Sequence, residues 1–204
     1  VEQVAEEVGW VLETSDSDRY RGQALAVRVE LGIHLPQEDP GEAVLLEALR
    51  LFERNEIEDE AVRVRLLQAQ RNQRLAKVES AMKEVEWVAQ SAARLQLPEL
   101  VVEAELLRAE LLAAEEPSRA AERAQRTVDL ARQFGFRESL WRGEVLLANL
   151  QDGDAREGRL LHYQVCLDLF REMTEGLPPE LVSSFLSLPR QRRVLEDLRV
   201  LSRS

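Results

Sequence analysis

Apolar residues recur along this chain at helical spacing, and the helices they predict recur in turn. Residues 1–13 place Val1, Val4, Ala5, Val8, Val11 and Leu12 on one stripe. Thr14-Ser15-Asp16-Ser17-Asp18 then supplies several N-cap candidates for the next helix. From there the pattern predicts four helix pairs: 18–32 with 42–55, 58–72 with 76–95, 99–115 with 118–134, and 138–151 with 155–175. Breaks fall where helices cannot continue, at Leu35-Pro36-Gln37-Glu38-Asp39-Pro40-Gly41, beside Pro117, and at Asp152-Gly153-Asp154. The second helix of each pair is expected to stop near Asn55, Gln96, Gly135 or Gly176.

The pairs share a register. Pentads beginning at Ala48, Val88, Thr127 and Cys166 start 40, 39 and 39 residues apart. On the first helices Ala24, Val64, Ala104 and Gly143 are equivalent, followed three residues later by Val27, Leu67, Leu107 and Leu146. A small residue with a large apolar one at i+3 allows two helices to approach closely at one point and fills the gap one turn on. A fixed period near 40 with helical patterning inside it predicts an all-α fold, an α-solenoid of about four stacked antiparallel helix pairs preceded by a single N-terminal helix. That lone helix and the absence of an initiator methionine suggest a longer array cut within a unit.

Residues 1–176 are therefore expected to be the repeat array, and residues 177–204 a pair of capping or linker helices. In the latter, Pro178-Pro179 and Pro189 sit where prolines open helices. Val194, Leu195, Leu198 and Leu201 form a stripe suited to sealing the end of a stack.

Ala104 and Leu107 with Ala120, Ala124 and Thr127, and next Gly143 and Leu146 with Tyr163 and Cys166, resemble the packing code of the tetratricopeptide repeat family over residues 18–176. The units are longer than that family's usual one. Most of its tryptophan, glycine and tyrosine positions and its closing proline are missing. The lengthened form found in large bacterial signalling and transcription regulators is the nearer likeness, and the run from Leu177-Pro178-Pro179 to Leu198 is similar to tails that follow such repeats there. The resemblance implies a scaffold that binds proteins, with first helices lining a concave side.

Composition narrows the alternatives. With 45% apolar, 5% aromatic and 32% charged residues, the chain reads as a helical protein packed by small side chains. No stretch approaches the roughly 20 apolar residues of a bilayer span, and residues 1–7 lack a targeting pattern. One cysteine, Cys166, excludes an intramolecular disulfide, so a cytoplasmic location is expected. The net charge of −11 resides wholly in residues 1–60, with 16 acidic against 5 basic side chains, which disfavours nucleic acid there. Only Lys77 and Lys83 break an otherwise all-arginine basic set, a bias that codon usage explains.

Little points to chemistry. His162 and Cys166 stand i,i+4 on one helix face, the spacing of a thiolate pair or half a metal site, but Cys166 falls on the repeat's packing position. His34 is most simply a helix-end residue. Glu56-Ile57-Glu58-Asp59-Glu60 lacks the alternating ligands and glycine of a calcium loop and suits a helix start. Arg190, Arg192 and Arg193 form a basic cluster without interleaved aromatics, best read as a solvated helix face. No phosphate loop or serine nucleophile motif is present, so neither an enzyme nor a cofactor or metal is expected.

One residue beyond the packing register lie Arg28, Gln68, Arg108 and Leu147, and one turn before lie Leu25, Arg65, Glu105 and Glu144. If first helices line a concave side as the resemblance implies, Arg21, Arg28, Arg65, Gln68, Glu105, Arg108 and Glu144 are the candidate partner-binding set. Planar guanidinium groups suit carboxylates. The expected function is a non-enzymatic interaction module for a protein or peptide, without nucleic acid or membrane. Self-association is conceivable through the terminal stripes. The alternative is a small-molecule sensor of a transcription regulator, which calls for a closed apolar pocket near Trp87 or Trp141.

Overall fold

The computed structural model describes residues 2–34, 39–151 and 155–203. Among them there is no strand, and eleven helices follow one another: α1 (Glu2–Thr14), α2 (Asp18–His34), α3 (Glu42–Arg54), α4 (Glu58–Arg74), α5 (Val78–Arg94), α6 (Pro98–Leu112), α7 (Pro117–Phe134), α8 (Arg137–Leu150), α9 (Arg156–Thr174), α10 (Pro179–Ser187) and α11 (Pro189–Arg203). The protein is an all-α array of consecutive helix pairs. It divides into two compact units, Val1–Leu107 and Arg108–Ser204, the division falling inside α6. In the first unit α1 packs on α2, α2 on α3, α3 on α4 and α4 on α5, and α2 also meets α4. In the second, α7 packs on α8, α8 on α9, α9 on α11 and α11 on α10.

The sequence period is visible as burial. Ala48, Val88, Thr127 and Cys166, the equivalent positions on α3, α5, α7 and α9, are all fully buried. One turn earlier so are Leu45, Val85, Ala124 and Tyr163, and one turn later Phe52, Ala92, Ala131 and Phe170. Three positions on one stripe of each second helix thus form its share of the core, as period 3.6 requires. Burying one such large apolar side chain stabilises the fold by about 1.5–3 kcal/mol. Among first helices Ala24, Val64, Ala104 and Gly143 are buried throughout. The large partner at i+3 is less regular: Leu67 and Leu107 are buried, Leu146 is half-buried, and Val27 is 36% exposed.

Size is traded between neighbours at two glycines. A Cβ at Gly22 would stand 2.8 Å from the Phe52 ring, and one at Gly143 would stand 2.9 Å from Val128 Cγ2. Either methyl group would push the facing helix away.

Consecutive helices join through a repeated turn. After α3, Glu56 takes φ +55, and the Glu56 and Ile57 amides donate to the carbonyls of Glu53 and Phe52. After α4 and α5 the same pair of bonds closes around Ala76 and Gln96, at φ +56 and +57. After α7, Gly135 occupies the left-handed position and the Phe136 amide reaches Ala131 O. This is a Schellman ending, which satisfies the last carbonyls of a helix and releases the chain in a new direction. α3 stops at Arg54 with Asn55 as its C-cap, as expected, whereas α5 opens at Val78 and not at Ala76, because Ala76 is itself the left-handed residue.

The connection between α2 and α3 is longer and is held by side chains. Asp39 accepts from Arg71 Nε at 3.2 Å, from Arg74 Nη2 at 2.6 Å and from the Gly41 amide at 3.0 Å, while Arg74 also donates to Gly32 O. Burial alone would raise the Asp39 pKa. The Arg71 hydrogen bond, the Gly41 amide and the charges of both arginines outweigh it and hold the carboxyl below its usual value. Residues 35–38 of this loop, the turn 152–154, the contributions of Val1 and Ala5 to the N-terminal stripe, and the side chain of His34 lie outside the described residues. At the other end the C-terminal stripe is covered: Val194 and Leu201 are buried, and Arg156 of α9 donates twice to Leu201 O, at 3.0 and 2.7 Å.

Candidate binding surface

The densest grouping of expected contact residues lies on α4. Arg65 and Gln68 stand at i,i+3 and so share a face, and Glu84 and Trp87 of α5 do the same opposite them. Arg65 Nη1 donates to Glu84 at 3.2 Å and Nη2 to Glu53 of α3 at 3.4 Å. Its guanidinium carbon lies 4.7 Å from the centre of the Trp87 ring, a cation–π distance. Trp87 remains 41% exposed. Arg65 Nε and Gln68 Oε1 are both buried, and neither has a hydrogen-bond partner among the described residues. One unused donor and one unused acceptor therefore sit one turn apart on α4, the donor on the side chain that stacks on Trp87. Each unmet group costs about 1–3 kcal/mol in a desolvated place.

The remaining expected residues are dispersed. Arg21 is half-buried and Arg28 exposed on α2, and neither side chain makes a hydrogen bond or ion pair among the described residues. Glu105 on α6 is buried, and Arg108, across the division, is half-buried. Glu144 is buried in the second unit, where its carboxylate is engaged internally. Arg132 Nη2 donates to Oε1 at 3.1 Å, and His162 Nδ1 lies 2.7 Å from Oε2. His162 Nε2 stands 3.0 Å from Gln151 Nε2, so one ring nitrogen faces the carboxylate and the other the amide.

That arrangement occupies both ring nitrogens of His162 with residues other than Cys166. The cysteine is fully buried and its thiol donates to Trp141 O at 3.5 Å. Burial, with the Glu144 charge second, pushes this thiol up to about 12. At neutral pH it is a protonated packing group. Among the described residues no three His, Cys, Asp or Glu side chains gather to hold a metal ion, and no helix is long and apolar enough to cross a membrane.

The two tryptophans named for a pocket differ. Trp87 lies open beside Arg65. Trp141 is buried against Phe170, with ring centres 5.3 Å apart edge-to-face, and its indole N–H donates to Glu138 at 2.9 Å. Beside Trp141 an open cleft of about 240 Å3 runs between α8 and α11. Leu146 and Val194 form apolar parts of its wall, and Arg142, Arg190 and Arg193 supply charge. Sequence spacing named Arg65 and Gln68, but Glu53, Glu84 and the cation–π role of Trp87 come from other helices, out of reach of any single-helix period. No family model matches the chain, and no curated protein is significantly similar to it.

Proposed function

We propose that the chain is a non-enzymatic interaction module that binds a protein or peptide on the α4–α5 face around Trp87. The supporting observation is the open indole with the Arg65 guanidinium stacked on it. Tryptophan and arginine are the side chains that dominate protein interfaces when a partner desolvates them. The likeness to lengthened tetratricopeptide repeats supports the same reading, and with it a place inside a larger cytoplasmic bacterial signalling or transcription regulator. A role as small-molecule sensor draws on the cleft beside Trp141 instead.

The test is affinity capture from a bacterial lysate with the wild-type chain beside Trp87→Ala, an exposed substitution chosen to leave helicity unchanged. Mass spectrometry of the retained proteins is expected to find one held by the wild type and lost by the variant. Equal retention of every protein by both would remove the α4–α5 face from the function.

A further inference from the structure

The cleft between α8 and α11 carries an inference separate from the Trp87 face. Five charged side chains line it: Arg142, Arg190, Arg193, Glu110 and Asp197. Both carboxylates are already occupied. Glu110 accepts from Arg142 Nη2 at 3.3 Å, and Asp197 accepts the Tyr163 hydroxyl at 3.2 Å. Arg193 Nε stands 3.9 Å from Asp197, beyond hydrogen-bond reach. The Arg190 side chain has no ion pair or hydrogen bond among the described residues. Arg192, between them in sequence, is different, since it pairs with Glu196 at 2.9 Å. Within one basic run, then, Arg192 is neutralised by a hydrogen-bonded pair, Arg193 stands in a longer ion pair with Asp197 that leaves its N–H donors unused, and Arg190 has no partner among the described residues.

The placement is costly in sequence terms. The first turns of α7 and α11 contain no acidic residue, whereas those of α2 to α6 and α8 to α10 each contain at least one. Cations near a helix N-terminus oppose the macrodipole. An anion placed there is favoured by both the dipole and the guanidinium forks. The wall of Trp141, Val145, Leu146 and Val194 suits methylene groups next to an acid group. The volume equals roughly eight water molecules, less than the several hundred cubic ångströms of a cofactor-sized site.

We infer that this cleft is a carboxylate-binding site, in which Arg190 and Arg193 hold the acid group and the apolar wall takes its short aliphatic stem. The carboxylate belongs to a glutamate-like side chain of an acidic peptide or to a free short dicarboxylate, which share this chemistry.

Titration calorimetry and amide chemical-shift mapping on the whole chain test the site, with a tetraglutamate peptide and free glutarate as probes. Tetraglutamate is expected to shift the amides of residues 190–194 and the Trp141 indole. Binding should weaken about tenfold or more in Arg190→Gln/Arg193→Gln and fall with added salt. Trp87→Ala should leave it unchanged, so this result and the capture experiment succeed or fail independently. Arg192→Gln, outside the cleft, distinguishes a specific site from general attraction to a basic helix and should leave affinity unchanged. Glutarate binding as tightly as the peptide would support the site and assign its ligand as the free acid. Absence of shifts with both probes, or equal weakening by Arg192→Gln and the double variant, would overturn the inference.

Discussion

The two units build the same repeat from different materials. Val1–Leu107 holds 22 acidic and 12 basic residues, net −10, whereas Arg108–Ser204 holds 16 and 15, net −1. The core of the first is aliphatic, with Leu25, Val29, Leu45, Leu49 and Val64 around a single large ring, Phe52. That of the second buries Trp141, Tyr163, Phe170 and Cys166, and beside them the Glu144–His162 pair. In the first unit polar links join helices near the surface, at Arg65 with Glu53 and Glu84, and at the loop where Asp39 meets Arg71 and Arg74. In the second they run through the interior. A shared register of small and large positions thus fixes where helices meet. It leaves open whether hydrocarbon or a hydrogen-bonded mixture fills the contact.

That contrast is most strongly broken at Trp141. Trp141→Ala removes the largest buried side chain of the second unit and its edge-to-face partner contact with Phe170, and should cost about 3–5 kcal/mol. Hydrogen exchange should show lost protection concentrated between residues 108 and 204, with α2 to α4 retaining theirs. Uniform loss along the chain would show that the two units unfold as one.

Asp39→Ala is the matching lesion in the first unit and should cost about 2–3 kcal/mol in chemical denaturation, because it strands two largely covered arginines. The pH dependence sharpens the comparison. The folded-state pKa of Asp39 lies below its unfolded value, so its contribution is fully present above about pH 4 and is lost as pH falls through the folded value. Acid should therefore narrow the stability gap between wild type and Asp39→Ala, and a gap constant down to pH 2 would contradict the clamp.

The smallest effect is expected at the non-glycine left-handed turns of the first unit. Glu56→Gly and Gln96→Gly each relieve an unfavourable φ but loosen the unfolded chain. The net gain should be a few tenths of a kcal/mol to about 1, read as a small rise in Tm. A fall would mean that those side chains make contributions beyond backbone geometry.

Much of this architecture is legible in the sequence, because a 39–40-residue period repeats the same three buried positions on α3, α5, α7 and α9. What escaped shares one physical origin. Periodicity tells which residues of a helix share a face, not what stands opposite. Val27 follows the rule for its register yet stays on the surface, since the pattern cannot say whether a neighbour covers that turn. His162 and Cys166 share a face, but the histidine finds Glu144 eighteen residues away on α8. The spacing of Arg65 points it to a groove, and its partners Glu53, Glu84 and Trp87 come from two other helices. Glutamate and alanine at φ near +55 defeat a reading that expects glycine or asparagine there.

The Schellman junctions around Glu56 and Gln96 lie forty residues apart and have the same bonds, with a left-handed residue at the same position. A gene deletion removing residues 57–96 would splice one such turn to the start of a helix that already follows its twin, with no new backbone geometry to invent. Tandem duplication of that segment would be equally seamless. Length in such a chain is inherited in whole steps, and recombination, rather than point substitution, is the economical way to change it.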